Sequence, residues 1–151
     1  SVLLFKKIAE IAHLYPNHKF IMPIANKYNT MGGRKNKNIY LVEYVPELRK
    51  KLTTCAGYIT YGGYNATVEI LKGQIPSILV PRQSGKKMEQ FIRAFTFEPY
   101  DFFKVLTMQE FGGIKLVLDQ LISGYSPKPF TYNLQGTSNT ADILSEIYNG
   151  F

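Results

Sequence analysis

The chain has 151 residues, 45% of them hydrophobic and 19% charged, with a formal net charge of +7 and a pI near 9.4. That suits one domain with a real core; no apolar run is long enough to span a bilayer and no signal-peptide pattern opens the sequence, so a soluble, cytoplasmic protein is the default expectation. A single cysteine, Cys55, excludes an internal disulfide and any multi-cysteine metal site, and two histidines, His13 and His18, give a zinc reading little support.

In chain order, residues 2–14 place Leu4, Ile8, Ile11 and Tyr15 at helical spacing, and Pro16-Asn17 ends that element. An alternative for its start is an extended strand, since SVLLF has no helix cap and is wholly apolar after Ser1. A strand is predicted over 20–24, with Pro23 confining it to an edge or a strand end. The polar stretch NKYNTMGGRKNKN reads as a loop, 39–44 as a strand, and 46–54 as a helix with Pro46 in its first turn and Cys55 near its end. Strands at 58–60 and 77–80 then alternate with helices at 65–71 and 87–97. A short strand at 103–106 follows, and a helix over 108–122 carries Ile114, Val117, Leu118 and Leu121 on one face. Gly124, Pro127 and Pro129 mark 123–134 as a loop, and 137–148 reads as a terminal helix. This alternation predicts an α/β fold: a Rossmann-like parallel sheet with helices on both faces, binding ligands at the carboxyl ends of its strands.

The charge calls for an anionic partner, and its distribution is more informative than its sum. Arg34, Lys35 and Lys37 fall in the polar loop, Arg49, Lys50 and Lys51 on a predicted helix, and Arg82, Lys86 and Lys87 just after a strand. Solvated surface is the competing reading for each cluster, and it is weakest for the last, which leaves the carboxyl end of a strand. Nearby, the strand at 58–60 runs into Gly62-Gly63 and a helix start. Glycines let a backbone turn approach a phosphate, and a helix start offers uncapped N–H groups with the positive end of its dipole. A glycine pair in that position is more often only a tight turn. Glu69, one turn into the helix, can accept ribose hydroxyls or simply complement the dipole.

A longer pattern joins Gly62, Gly63, Glu69, Gly73, Pro76, Val80, Pro81, Glu89, Gln90 and Ala94. GGYNATVEILKGQIPSILVPR followed by MEQFIRA resembles the C-terminal, donor-binding half of glycosyltransferases with the GT-B fold. It is nearest to glycosyltransferase family 28, whose members include peptidoglycan N-acetylglucosaminyltransferase-like proteins. The likeness is clearest over residues 44–94. It implies that residues 1–151 are one nucleotide-sugar donor-binding domain, the C-terminal half of a larger two-domain protein. That protein would transfer a hexosyl group from a UDP-sugar to an acceptor hydroxyl, with the UDP-sugar as substrate and no cofactor or metal.

By this resemblance the backbone of Val45 pairs with the uracil edge, and Gly62, Gly63, Tyr64 and Asn65 form the turn whose amides hold the pyrophosphate. Glu69 accepts ribose hydroxyls, and Glu89 and Gln90 bind hydroxyls of the transferred sugar. Arg82 has no firm counterpart and is assigned a phosphate or carboxylate contact on charge alone. For Glu89 the plainer reading is a helix-terminal acid, which leaves Gln90 unexplained. The catalytic base and the acceptor pocket are expected in an absent N-terminal domain or a partner subunit, so the isolated domain is expected to be inactive. Any peripheral contact with the inner face of a membrane would belong to that half. Such domains open with an apolar strand and a glycine-rich loop, which here are missing or atypical. Two rivals share the donor site: half of a non-hydrolysing UDP-sugar epimerase, and a stand-alone donor-binding subunit needing a membrane-anchored partner. A nucleic-acid module would suit the charge and the 14% aromatic content, yet no such motif is present, so no nucleic-acid partner is expected.

Overall fold

The computed structural model describes residues 2–23, 36–82, 88–97, 103–124 and 145. The chain forms two compact units, Ser1–Lys50 and Lys51–Phe151. The sequence expectations for Ile24, Arg34, Lys35, Lys86, Lys87, the greater part of the 123–134 loop and the 137–148 helix lie outside the described residues, Ser145 apart.

In the first unit α1 (Val2–Ile11) runs into a 3-10 turn, Ala12–Leu14. Leu4, Ile8, Ala12 and Tyr15 recur every three or four residues and all are buried, which is the stripe that makes the segment a helix. The extended alternative for SVLLF is therefore corrected: Leu4 is buried in register with Ile8 while Leu3 faces solvent, a helical rather than an alternating pattern. Two asparagines from the segment just before Ile39 bond to its carboxyl end. Asn36 Nδ2 donates to the Ala9 carbonyl at 2.6 Å, and Asn38 Nδ2 to those of Ala12 and Tyr15 at 2.8 and 2.9 Å. The Ala12 and Tyr15 carbonyls also accept the Tyr15 and His18 N–H groups, each at 3.0 Å, so the asparagines add a second bond at this end. β1 (Phe20–Pro23) and β2 (Ile39–Val42) pair in parallel, from Phe20 opposite Ile39 to Pro23 opposite Val42. Pro23 is the last residue of its strand, as its missing N–H requires.

The unit boundary falls within α2 (Leu48–Leu52). Pro46 does not begin this helix as expected, because Glu47 takes a left-handed φ of +49° through which a right-handed helix cannot run.

In the second unit β3 (Tyr58–Thr60), β4 (Ser77–Leu79) and β5 (Phe103–Val105) form a wholly parallel sheet in that order. α3 (Tyr64–Gly73) and α4 (Met88–Phe97) are the two crossovers, and right-handed connections put both on one face. The register places Tyr58, Ser77, Leu79, Phe103 and Val105 on that face, and Ile70, Leu71, Ala94 and Phe97 of the helices pack with Leu79 and Phe103. Burial of each large apolar side chain contributes roughly 1.5–3 kcal/mol. Ile78 points to the opposite face and is equally buried, so β4 is covered on both sides, as parallel strands are. α5 (Ile114–Ile122) buries Ile114, Leu118 and Leu121, and Leu121 lies where a Cβ on Gly57 would be.

The molecule is thus mixed α/β with parallel strands and flanking helices, a Rossmann-like arrangement. Its described strands form two sheets instead of the single one expected, since strand alternation carries no record of which strands pair. α5 also begins later than the predicted 108, after a 3-10 turn, Phe111–Gly113. Among the described residues no helix is long and apolar enough to cross a membrane.

Candidate functional site

The carboxyl end of β3 delivers Tyr61 and the two glycines to the start of α3, and each glycine has its own reason. Gly62 has φ +69°, a left-handed conformation that side chains resist, so the turn itself demands glycine. Gly63 sits at φ −62°, ψ 158° as the cap residue of α3, and among the described residues a Cβ there would meet nothing within 4 Å. None of the described residues requires glycine at that position. Gly63 offers α3 no side-chain cap, so among the described residues the N–H groups of its first turn have no capping side chain. Behind the turn, Thr67 N–H donates to the Gly63 carbonyl at 2.9 Å, and its hydroxyl reaches the Gly63 and Gly62 carbonyls at 3.1 and 3.4 Å. Gly62 N–H donates to Thr60 Oγ1 at 3.3 Å.

The neighbouring strand β4 exits through buried Val80 and Pro81 to half-buried Arg82. The Arg82 guanidinium lies 4.2 Å from the centroid of the Tyr61 ring, stacked on the aromatic that leaves β3. From the first turn of α4, exposed Glu89 forms an ion pair of 3.8 Å with Arg93. Arg93 in turn donates from Nη1 to the Gly62 carbonyl at 3.3 Å, and its guanidinium is 5.7 Å from the Tyr64 ring centroid. Beside Glu89, the buried Oε1 of half-buried Gln90 has no hydrogen-bond partner among the described residues. Buried polar atoms are nearly always satisfied, so this acceptor stands out among the described residues.

Of the expected site residues, Gly62, Gly63, Tyr64 and Glu89 are brought together through Arg93, Gln90 adjoins Glu89, and Arg82 stands at the next strand exit. Asn65 is exposed in the first turn of α3, and Glu69 is half-buried in its second. Val45 belongs to the first unit, half-buried three residues beyond β2. The sequence reading missed Tyr61, Thr67 and Arg93. For Arg93 a signal existed, because it stands four residues after Glu89 on a predicted helix, the spacing of a side-chain pair.

The third exit, from β5, is closed by side chains. Glu110 Oε2 accepts from the Thr107 hydroxyl at 2.6 Å and from Thr107 N–H at 3.1 Å, while Glu110 N–H donates to Thr107 Oγ1 at 3.3 Å. The Thr107 hydroxyl, followed by its N–H, holds the Glu110 carboxyl below the usual glutamate range.

Elsewhere the reactive groups are structural. The Cys55 thiol donates to the Leu52 and Gly57 carbonyls at 3.1 and 3.3 Å, and burial pushes it above the ordinary thiol range, which makes it a poor nucleophile. Burial likewise raises the Tyr58 hydroxyl. His18 meets the Tyr15 ring edge-on at 6.3 Å. Among the described residues no group of three His, Cys, Asp or Glu side chains could hold a metal ion. No protein-family model matches the chain, and no curated protein is significantly similar to it.

Proposed function

We propose that the carboxyl edge of the three-stranded sheet receives the diphosphate of a nucleotide sugar, a UDP-sugar, and that the chain is the donor-binding half of a hexosyl-transferring glycosyltransferase. The observation that carries this reading is Gly63: a glycine at a helix start without a side-chain cap, in a conformation any residue adopts, with no described residue where its side chain would be. Close approach of a ligand to the backbone explains such a glycine, and helix-start amides are suited to a pyrophosphate.

Around that anion the other residues take roles their chemistry allows. Gly62 to Asn65 supply amides, Arg82 a cation beside Tyr61, and Glu69 a carboxylate for ribose hydroxyls. Glu89 and Gln90 receive sugar hydroxyls, the unsatisfied Gln90 oxygen being an acceptor for one of them. In glycosyl transfer the leaving group is a nucleoside diphosphate, and amides and cations at this turn stabilise the negative charge it gains. The acceptor and the base that deprotonates it belong to a second domain or subunit.

Titration calorimetry with UDP tests the reading. Wild type is expected to bind UDP, and Gly63→Ala to melt at the wild-type temperature while binding at least about tenfold more weakly, a lost charged hydrogen bond being worth roughly 1.5–3 kcal/mol. Unchanged affinity in Gly63→Ala, or no heat from UDP and UDP-sugars with wild type, would sink the proposal.

A further inference from the structure

We infer that Arg93 is a positioning residue that couples the diphosphate turn to the sugar-binding carboxylate, so that nucleotide and sugar are recognised as one unit; this rests on the donor-site reading above. Its side chain is 21% exposed and touches three parts of the site. Nη1 donates to the Gly62 carbonyl at 3.3 Å, Nη2 lies 3.8 Å from Glu89 Oε2, and the guanidinium is 5.7 Å from the Tyr64 ring centroid.

The first contact fixes an amide. A peptide unit is planar and trans, so its N–H points opposite to its carbonyl. Arg93 holds the Gly62 carbonyl, and the N–H of Gly63 in the same peptide is thereby turned away from Arg93. Arg93 thus orients a donor that faces a phosphate without touching the phosphate itself.

The second contact sets the state of Glu89. At 3.8 Å the pair exceeds hydrogen-bonding distance and the Glu89 side chain is 66% exposed, so the attraction is electrostatic and readily exchanged. A diphosphate that accepts from the Gly63 N–H polarises the shared peptide and strengthens the Gly62 carbonyl as an acceptor for Arg93. As the guanidinium is drawn to that carbonyl, the Glu89 oxygens are released to accept sugar hydroxyls. Arginine is required for this because its planar fork serves two partners from fixed positions, whereas lysine is a single point charge on a flexible stem.

The test is a double-mutant cycle on the whole chain with Arg93→Lys and Glu89→Gln. Affinities for UDP and for the tightest binder among UDP-glucose, UDP-galactose and UDP-N-acetylglucosamine are measured by calorimetry. Arg93→Lys is expected to weaken UDP about tenfold, and Glu89→Gln to leave UDP unchanged while weakening the UDP-sugar. On the UDP-sugar the double variant should lose less than the product of the single losses, by about threefold or more. A merely structural role for Arg93 would give independent losses and no such coupling. Arg93→Gln, which keeps an N–H donor for the Gly62 carbonyl and drops the charge, should abolish the coupling while retaining more UDP affinity than Arg93→Ala. Wild-type UDP affinity in Arg93→Lys, or independent losses in the cycle, would overturn the inference alone. Silence of the wild type toward UDP and all three sugars would remove the donor-site reading and this inference with it.

Discussion

Two of the three exits from the larger sheet, after β3 and after β5, solve the same problem in opposite ways. Each must turn a strand into a helical segment within a few residues and satisfy the N–H groups that a helix start exposes. After β5 the chain uses Thr107 and Glu110, whose side chains and N–H groups bond reciprocally in the pattern of a capping box. After β3 it places Gly63 at φ −62°, ψ 158°, a geometry in which serine or aspartate would cap α3, and leaves the cap unmade. The sheet therefore closes the turn after β5 with side chains, whereas the cap of α3, like Gly113 at the start of α5, makes no side-chain bond. On the proposed function the two exits differ in what they serve, the turn after β5 the fold alone and the start of α3 an anion as well.

The sharpest way to break that contrast is to close the open exit. Gly63→Asp should cap α3 and raise stability by a few tenths to about 1 kcal/mol. It also puts a carboxylate where the diphosphate is expected, and like charges about 4 Å apart near a surface repel by roughly 4 kcal/mol, so UDP affinity should fall more than about a hundredfold. Paired melting and calorimetry measurements decide it, and a variant that is more stable yet binds UDP normally would mean that the uncapped start has no ligand. The converse change is smaller. Thr107→Ala should lower stability by about 1 kcal/mol with UDP affinity unchanged, and weakened binding in that variant would show that the two exits are not separate in function.

Much of this arrangement is legible in the residues, for identifiable reasons. β3 lies at its expected bounds because the run from Tyr58 to Thr60 is apolar and glycines stand on either side of it. The glycine turn, Arg82 and Glu89 were readable as punctuation and charge at strand and helix ends. Arg93 was legible only in its spacing to Glu89, since its other partner is a backbone carbonyl 31 positions away. Long separation also hides Asn36 and Asn38, which read as loop polarity but bond to a helix end 23 to 27 positions earlier. The late starts of α2 and α5 depend on a left-handed Glu47 and on the turn that Thr107 and Glu110 form, where backbone conformation overrides helical periodicity. The Thr-x-x-Glu spacing itself was visible as a capping signal. The division into two sheets was beyond reach, since pairing partners are fixed by tertiary packing.

The closed turn after β5 carries a pH signature. Glu110 is held below the ordinary glutamate range by bonds that exist only in the folded chain, so folding favours its carboxylate form. A depressed folded-state pKa means that the box contributes its full stability above the unfolded value and loses it as pH falls through the lowered folded value. Glu110→Gln has no charge to titrate there, and all other carboxylates cancel when the two proteins are compared at the same pH. The melting temperature of wild type should therefore exceed that of Glu110→Gln by a constant margin at neutral pH, and the margin should narrow below about pH 5. A margin that stays level into strong acid would show that the Thr107 bonds do not depend on the Glu110 charge, and the closed turn would lose its standing as the reference against which Gly63 is read.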